Sequence, residues 1–283
     1  MKIMLINNII NKIIFILNLS MMVTDKKNNM SILNNLKIII LEIKASYFKN
    51  TQQLILLIST FLLVFFIRFL LMIMDSIFVI DEYSIQRVIF IISTSLLVMG
   101  LEIGFTKLIF QIMDDIQTSM TDVFNYFHLL WKYITGLLLF YLSISIGFLP
   151  GMLFIYWKTK GEFLDILFDS INDPYFQELV AGYFDTNDLL MLIIIICIPG
   201  VYLSIRLCFW SYFIIDQEIT ARDAIKKSFN VSKNKEFEII IYLFIILVFN
   251  LIGLISIIGI CFTIPLTYLF LCKYFRILNQ RLK

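Results

Sequence analysis

Three ionisable side chains, Arg68, Glu102 and Arg206, lie inside or at the end of long apolar stretches of this 283-residue sequence. A charged group in hydrocarbon is costly, so it marks an ion or substrate pathway unless it pairs with an opposite charge or extends to the interface. Glu102 and Arg206 are expected at similar depths, which predicts an ion pair between them. Snorkelling and a transport or ligand role are the alternatives for Arg206, whereas Arg68 is expected to extend its side chain outward.

Two Pro-Gly dipeptides, Pro150-Gly151 and Pro199-Gly200, interrupt two successive apolar stretches. Proline removes a backbone donor and bends a helix, and breaks at matching positions of two spans can line the binding site of a transporter. Proline is also tolerated inside membrane helices, because neighbouring groups satisfy the carbonyl that it frees. The pattern therefore predicts a packing kink, with a ligand cavity as the alternative.

The sequence carries no pattern that indicates catalysis, a cofactor or a metal. Its single histidine, His128, falls at the edge of an amphipathic segment, and the zinc-protease, nucleophile-elbow, P-loop and dinucleotide-binding signatures are absent. The four cysteines lie in apolar stretches without metal-like spacing, which indicates buried and unreactive thiols. We therefore predict a protein that is not an enzyme and has no catalytic, cofactor-binding or metal-binding residues.

The composition indicates that the bilayer is the solvent of this chain. Apolar residue types make up 60% of it and charged types 16%, and the mean hydropathy is +0.91. Soluble domains have about 45–50% apolar and about 25% charged residues, so a soluble globular protein is excluded. A disordered chain, a collagen and a disulfide scaffold are excluded as well. The net charge of +2 gives no reason to expect nucleic acid as a partner.

Six segments are long and apolar enough to cross a bilayer, which takes about 20 residues of helix. The chain is therefore predicted to be all-α, a polytopic transmembrane helical bundle that forms a single domain over residues 31–283. The last apolar stretch is too long for one crossing and is divided into two. The predicted spans are residues 54–74, 88–107, 134–157, 189–215, 239–256 and 258–276.

The distribution of basic residues predicts the orientation of these spans. Eighteen of the 23 Lys and Arg residues fall in the two ends and the connections 102–133 and 216–238, and three fall in the loops 75–87 and 158–188. Because loops rich in Lys and Arg stay in the cytoplasm, both ends of the chain are expected there. The prediction is a multi-pass protein of the cell membrane.

Four segments on the cytoplasmic side of the spans have patterns of their own. Asparagine and lysine break the hydrophobic residues 1–30, so we expect a poorly ordered extension rather than a signal peptide or a seventh span. Residues 31–47 form an amphipathic interfacial helix in this interpretation. Residues 119–122 and 220–223 have the pattern of helix N-termini, each opening a further amphipathic helix. The two patterns lie at matching positions between successive spans. This match fits either a duplicated pair of spans or a coincidence.

A series of short motifs over residues 101–278 carries a family resemblance. The motifs are Gly104-Phe-Thr-Lys-Leu, Asp122-Val-Phe, Ile198-Pro-Gly-Val with Arg206, Tyr212-Phe-Ile-Ile-Asp216, Ala224-Ile-Lys-Lys-Ser-Phe229, and Pro265 followed by Tyr274-Phe-Arg276. Their order resembles a bacterial integral-membrane family of unknown function, which is similar to the membrane domain of some glycerophosphodiester phosphodiesterases. The resemblance implies a multi-pass helical protein of the bacterial cytoplasmic membrane, with no established activity to carry over.

Two functions remain open on the sequence. The first is a non-enzymatic scaffold or accessory subunit of envelope or export machinery, in contact with the lipid bilayer and with a protein partner. The alternative is a small permease or lipid-handling transporter, with a site near the Pro-Gly breaks of spans three and four. A cavity between those spans favours the transporter, whereas close packing and an exposed apolar or charged surface favour the subunit.

Overall fold

The computed structural model describes residues 51–77, 85–162, 184–255 and 257–280, together with residues 37, 41 and 182. The predictions for residues 1–30, and for all but two positions of the interfacial helix 31–47, lie outside them. The described ranges are helical and contain no strand. Six helical segments are long and apolar enough to cross a membrane. The all-α class and the six spans are therefore confirmed.

The helices run beyond the predicted spans at most ends, because polar residues continue a helix past its apolar core. Their bounds are α1 Thr51–Ile77, α2 Ile85–Met113, a 3₁₀-helix Met120–Leu129, α3 Leu130–Thr159, α4 Thr186–Leu207, α5 Trp210–Gln217, α6 Ala221–Val231, α7 Glu236–Leu254 and α8 Ile257–Gln280. The separation of α7 from α8 confirms that the last apolar stretch makes two crossings. Span four was expected to be continuous, but it is broken between α4 and α5.

The chain divides into two compact units. The first contains the segments Met1–Trp131, Ile215–Glu218 and Phe237–Lys283, and the second contains Lys132–Ile214 and Ile219–Glu236. The expectation of one domain over residues 31–283 stays a prediction. The two units are described separately below.

In the first unit, the buried half of α2 lies at the centre of the packing. Helix α2 contacts α1, α8 and the 3₁₀-helix. The ring of Phe105 lies 6.1 Å from that of Phe61 on α1 and 5.6 Å from that of Tyr268 on α8. Tyr242 on α7 and Tyr274 on α8 stack with their centroids 4.0 Å apart. Aromatic pairs of this kind add to the burial that holds four helices together.

The 3₁₀-helix lies directly against the second half of α2. Its N-terminus is capped as the sequence predicted, because the Asp122 carboxylate accepts from the Ser119 amide at 2.7 Å. A Cβ atom at Gly104 would overlap the carbonyl of Val123, and one at Gly100 would overlap the Phe127 ring. The two glycines therefore permit a backbone approach that a side chain would block.

In the second unit, Trp210 packs against the first turns of α3, and helix α6 packs against α4. The Trp210 ring packs 5.0 Å from Tyr133 and 5.9 Å from Phe140, and a Cβ at Gly136 would overlap it. Helix α6 starts at the predicted position, since the Thr220 hydroxyl accepts from the Asp223 amide at 3.3 Å. At the opposite end of α3 and α4, Lys158 pairs with Asp188 at 2.7 Å.

Candidate functional site

An ion pair joins the first two membrane spans. Nη2 of Arg68 on α1 donates to Oε1 of Glu102 on α2 at 2.5 Å. Both residues lie well inside the segments that are long and apolar enough to cross a membrane. The two side chains nevertheless remain 47% and 33% exposed. The pair therefore lies on the surface of its unit, within two helices that are long and apolar enough to cross a membrane.

The predicted pair between Glu102 and Arg206 is wrong, and so is the outward extension of Arg68. Glu102 accepts from Arg68, and Arg206 donates to Glu236. The reason is that α1 and α2 pack as direct neighbours, which brings their polar side chains to the same level. Depth along a span can be estimated from the sequence, but the identity of the neighbouring span cannot.

Arg206 forms a second, more enclosed ion pair. Its Nη1 donates to Oε1 of Glu236, the first residue of α7, at 2.6 Å. The guanidinium carbon lies 4.0 Å from the centre of the Phe229 ring and 5.7 Å from that of Tyr202. Only 4% of the Arg206 side chain is exposed. Aromatic faces stabilise a desolvated cation, so this arginine connects α4, α6 and Glu236 within the second unit and is closed to a ligand.

A serine of α6 explains the break in span four. The Ser228 hydroxyl accepts from the Phe209 amide at 3.1 Å and donates to the Arg206 carbonyl at 3.2 Å. A helix that stops leaves backbone groups without partners, and a hydroxyl can donate and accept at once. Ser228 therefore satisfies the break between Leu207 and Trp210, and it fixes α6 against the end of α4. Sequence analysis did not identify this role of Ser228.

The Pro-Gly breaks lie at points where α3 and α4 are in contact. Pro150 and Pro199 both fall inside helices, and Gly151 and Gly200 are buried. A Cβ at Gly147 would lie 3.4 Å from the backbone nitrogen of Gly200, and one at Gly200 would lie 2.9 Å from the Phe148 ring. Distances this short leave no room for a ligand between the two helices at this level. The geometry therefore supports the packing interpretation.

A lateral cleft lies between α1 and α2, beginning one helical turn from the Arg68–Glu102 pair. Its volume is about 280 Å³, and it contains three polar side chains among apolar ones. The Thr94 hydroxyl donates to the carbonyl of Phe90 in its own helix, whereas the Asp75 carboxylate makes no hydrogen bond to any residue in the described ranges. The lining residues are Leu71, Met72, Asp75, Phe90, Ile91, Thr94, Ser95 and Val98.

A charged cluster at one end of the first unit was not foreseen. Arg276 on α8 binds both carboxylate oxygens of Asp114 and also Oδ1 of Asp216, the latter at 2.7 Å. Lys107 donates to Oε1 of Glu218 at 2.8 Å and to the Ile215 carbonyl at 2.9 Å. The hydrogen bond from Arg276 is the main reason why the pKa of Asp114 lies below its ordinary value of 3.8.

A signal for this cluster was present in the sequence. Lys107, Asp216 and Arg276 each belong to one of the short motifs that carry the family resemblance. Their common feature is an ionisable residue that follows an apolar run. In the structure these residues tie α2, α8 and the last residues of α5 together, which is a structural role.

Within the described ranges, His, Cys, Asp and Glu side chains do not form a group of three that could hold a metal ion. Comparisons with protein-family models, with curated proteins and with solved structures found no match to this chain. The exposed Arg68–Glu102 pair and the cleft beside it are therefore the best candidate for a functional surface.

Proposed function

We propose that this protein is a non-enzymatic scaffold or accessory subunit of envelope or export machinery in the bacterial cell membrane, with both ends in the cytoplasm. The observation that carries the proposal is the Arg68–Glu102 ion pair, which lies inside two spans and is partly exposed. We call the surface formed by this pair and the lining of the adjoining cleft the α1–α2 face.

The physical reason is the cost of leaving polar groups unsatisfied in hydrocarbon. A guanidinium has five N–H donors and a carboxylate has two acceptor oxygens, but one hydrogen bond joins Arg68 to Glu102. Each unsatisfied group costs several kcal/mol when lipid chains surround it. A neighbouring protein can supply the missing partners and lipid chains cannot. The α1–α2 face is therefore suited to contact with another subunit.

The alternative, a permease or lipid-handling transporter with a site at the Pro-Gly breaks, has less support. Such a site needs space between α3 and α4, and these helices are in contact at Gly147 and Gly200. The second intramembrane arginine, Arg206, is enclosed by Glu236 and aromatic rings. The packing at both positions favours a structural role for this part of the chain.

Crosslinking in the membrane tests the proposal. A photoreactive residue at Met72, which lines the cleft, should capture a protein that mass spectrometry identifies as a component of envelope or export machinery. The matched control is Leu153 on α3, since the two side chains are 66% and 67% exposed. Capture of lipid alone from Met72, or the same proteins from both positions, would contradict the proposal.

A further inference from the structure

We infer that the α1–α2 face binds a second copy of this chain, so that two Arg68–Glu102 pairs meet across a two-fold axis. The inference rests on the proposed function, because it names the partner of the same surface. Four features carry it: the alignment of the polar residues, the pattern of charge, the exposure of the pair and the size of the cleft.

The polar residues of the face form one stripe on each helix. On α1, Arg68 and Asp75 are seven residues apart, and on α2 Ser95 and Glu102 are seven residues apart. Residues seven apart lie on the same side of a helix, so each helix presents these polar groups in one direction. Asp75 and Ser95 line the cleft, and Arg68 and Glu102 lie about one helical turn beyond it.

The charge pattern of the face is complementary to its own copy. A two-fold rotation about the membrane normal reverses a charge pair that lies in the membrane plane, so Arg68 of one copy approaches Glu102 of the other. The hydrogen bond within one copy uses Nη2 and Oε1, which leaves Nη1, Nε and Oε2 for the bond across the axis. The four charges of the two Arg68–Glu102 pairs then sum to zero, which lowers the cost of enclosing them, and the Asp75 carboxylates lie two helical turns away, near the end of α1.

The exposed fractions of the Arg68 and Arg206 side chains differ, and the difference indicates that a neighbouring protein covers Arg68 in the membrane. Both arginines lie in apolar helices and both are paired with a glutamate. Groups of the same chain cover Arg206 almost completely, with 4% of its side chain exposed, whereas 47% of the Arg68 side chain is exposed. An isologous contact, in which the same surface serves both subunits, would cover Arg68 without requiring any further protein.

The cleft has the dimensions of a contact between helices. Small-molecule sites have volumes of about 300–1,000 Å³, and the cleft measures about 280 Å³. Ser95 and Thr94 are small residues of the kind that let membrane helices approach closely and hydrogen-bond to one another. The cleft is therefore slightly smaller than an ordinary small-molecule site, and its small residues permit a close approach of a second helix.

Disulfide crosslinking in native membranes tests the inference. Two differently tagged copies of Ser95→Cys are expressed together and oxidised, and one tag is used to recover the other. We expect a disulfide-linked dimer of the chain that is about tenfold more abundant than with the control Leu153→Cys. A ratio of this size means that two copies prefer contact through the α1–α2 face to contact through α3. The protein with its four native cysteines alone should give none.

A charge exchange between copies gives a second measurement. With Ser95→Cys as reporter, Arg68→Glu leaves two negative charges at the position of the pair and Glu102→Arg leaves two positive charges there, while Asp75 is unchanged in both variants. Each variant alone should lose the dimer, and the two expressed together should regain it, because their faces are then complementary. A simple folding defect would not be rescued by mixing. If either variant fails to accumulate, the comparison of Ser95→Cys with Leu153→Cys still decides whether two copies meet through the α1–α2 face.

The outcomes separate this inference from the proposed function. A crosslinked dimer with rescue by mixing supports the second copy, and with it the role of this face as a protein contact. Capture of a different membrane protein by the photoreactive residue at Met72, without a Ser95→Cys dimer, overturns the second copy and leaves the subunit function standing. Capture of lipid alone at Met72, without a Ser95→Cys dimer, overturns both.

Discussion

The guanidinium of Arg68 and the carboxylate of Glu102 join the first two spans through a hydrogen bond of 2.5 Å. The pair differs from the one between Arg206 and Glu236, which aromatic rings and helix α6 enclose. Because the Arg206–Glu236 pair is enclosed, it is part of the internal packing. Because the Arg68–Glu102 pair is exposed, another protein can contact it.

Removal of one partner from the exposed pair should destabilise the protein more than removal of both. Arg68→Met and Glu102→Gln each leave an unpaired charge in an apolar setting, whereas the double variant leaves none. Thermal unfolding in detergent should show a coupling between the two substitutions of about 0.5–3 kcal/mol. The control is Glu102→Gln combined with Arg206→Met, which have different partners and should be additive. Additivity of the first pair would contradict the ion pair.

Gly104→Ala should destabilise the protein more than Gly100→Ala. The added methyl group at Gly104 would overlap the carbonyl of Val123, which is backbone, whereas at Gly100 it would meet the Phe127 ring, which can rotate. We expect a loss of about 1–3 kcal/mol at Gly104, as overpacking usually gives. Unfolding in detergent measures this, with Gly182→Ala as the control, because no atom lies within 4 Å of a Cβ there. Equal effects at Gly104 and Gly182 would refute the close approach.

Ser228→Ala should loosen the junction between α4 and α5. The substitution leaves the Phe209 amide and the Arg206 carbonyl without their buried partner, and an unsatisfied buried group costs about 1–3 kcal/mol. Hydrogen exchange at residues 205–212 should rise together with a fall in thermal stability. Ser204→Ala is the matched control, since the Ser204 hydroxyl donates to the Gly200 carbonyl of its own helix and to no other group of the described residues. The role of Ser228 is excluded if both variants behave alike.

Acid should weaken the charged cluster around Arg276. The hydrogen bond from Arg276 lowers the folded-state pKa of Asp114 below 3.8, so protonation is less favourable in the folded protein than in the unfolded chain. The contribution of Asp114 to stability is therefore complete above pH 3.8 and is lost as the pH falls through the lowered value. Asp114→Asn should reduce this part of the acid dependence in a melting series, and Asp115→Asn should retain it.

Both ends of the chain are expected on the cytoplasmic side. Reporter fusions after Lys283 and within residues 162–185 check this, because they should give opposite results. A periplasmic reporter after Lys283 would contradict the orientation that the basic residues predict.

The spans and the helix starts could be predicted because the information for them is local. A run of apolar residues defines a span wherever it occurs, and a Ser or Thr followed by Asp three residues later defines the start of a helix. The N-termini at Ser119 and Thr220 both have hydrogen bonds that fit this prediction. The division of the last apolar stretch followed from length and the positions of basic residues.

The partners of the charged residues could not be predicted, because they depend on which helices become neighbours. Arg68 and Glu102 are 34 residues apart, and Arg276 and Asp114 are 162 residues apart. Hydropathy and charge counts contain no information on such pairs. The break after Leu207 was missed for a related reason: the hydroxyl that makes it tolerable belongs to another helix.

The position of Arg276 near the end of the sequence has a consequence for biosynthesis. Asp114 and Asp216 leave the ribosome first, and their common partner follows Asp114 after 162 residues, a delay of roughly 10–30 s at ordinary rates of synthesis. Until the last helix arrives, neither carboxylate has the guanidinium that binds both of them in the finished protein. A chain interrupted before Arg276 therefore lacks the one cation that two acids share, and this end of the first unit is more negative than in the finished protein.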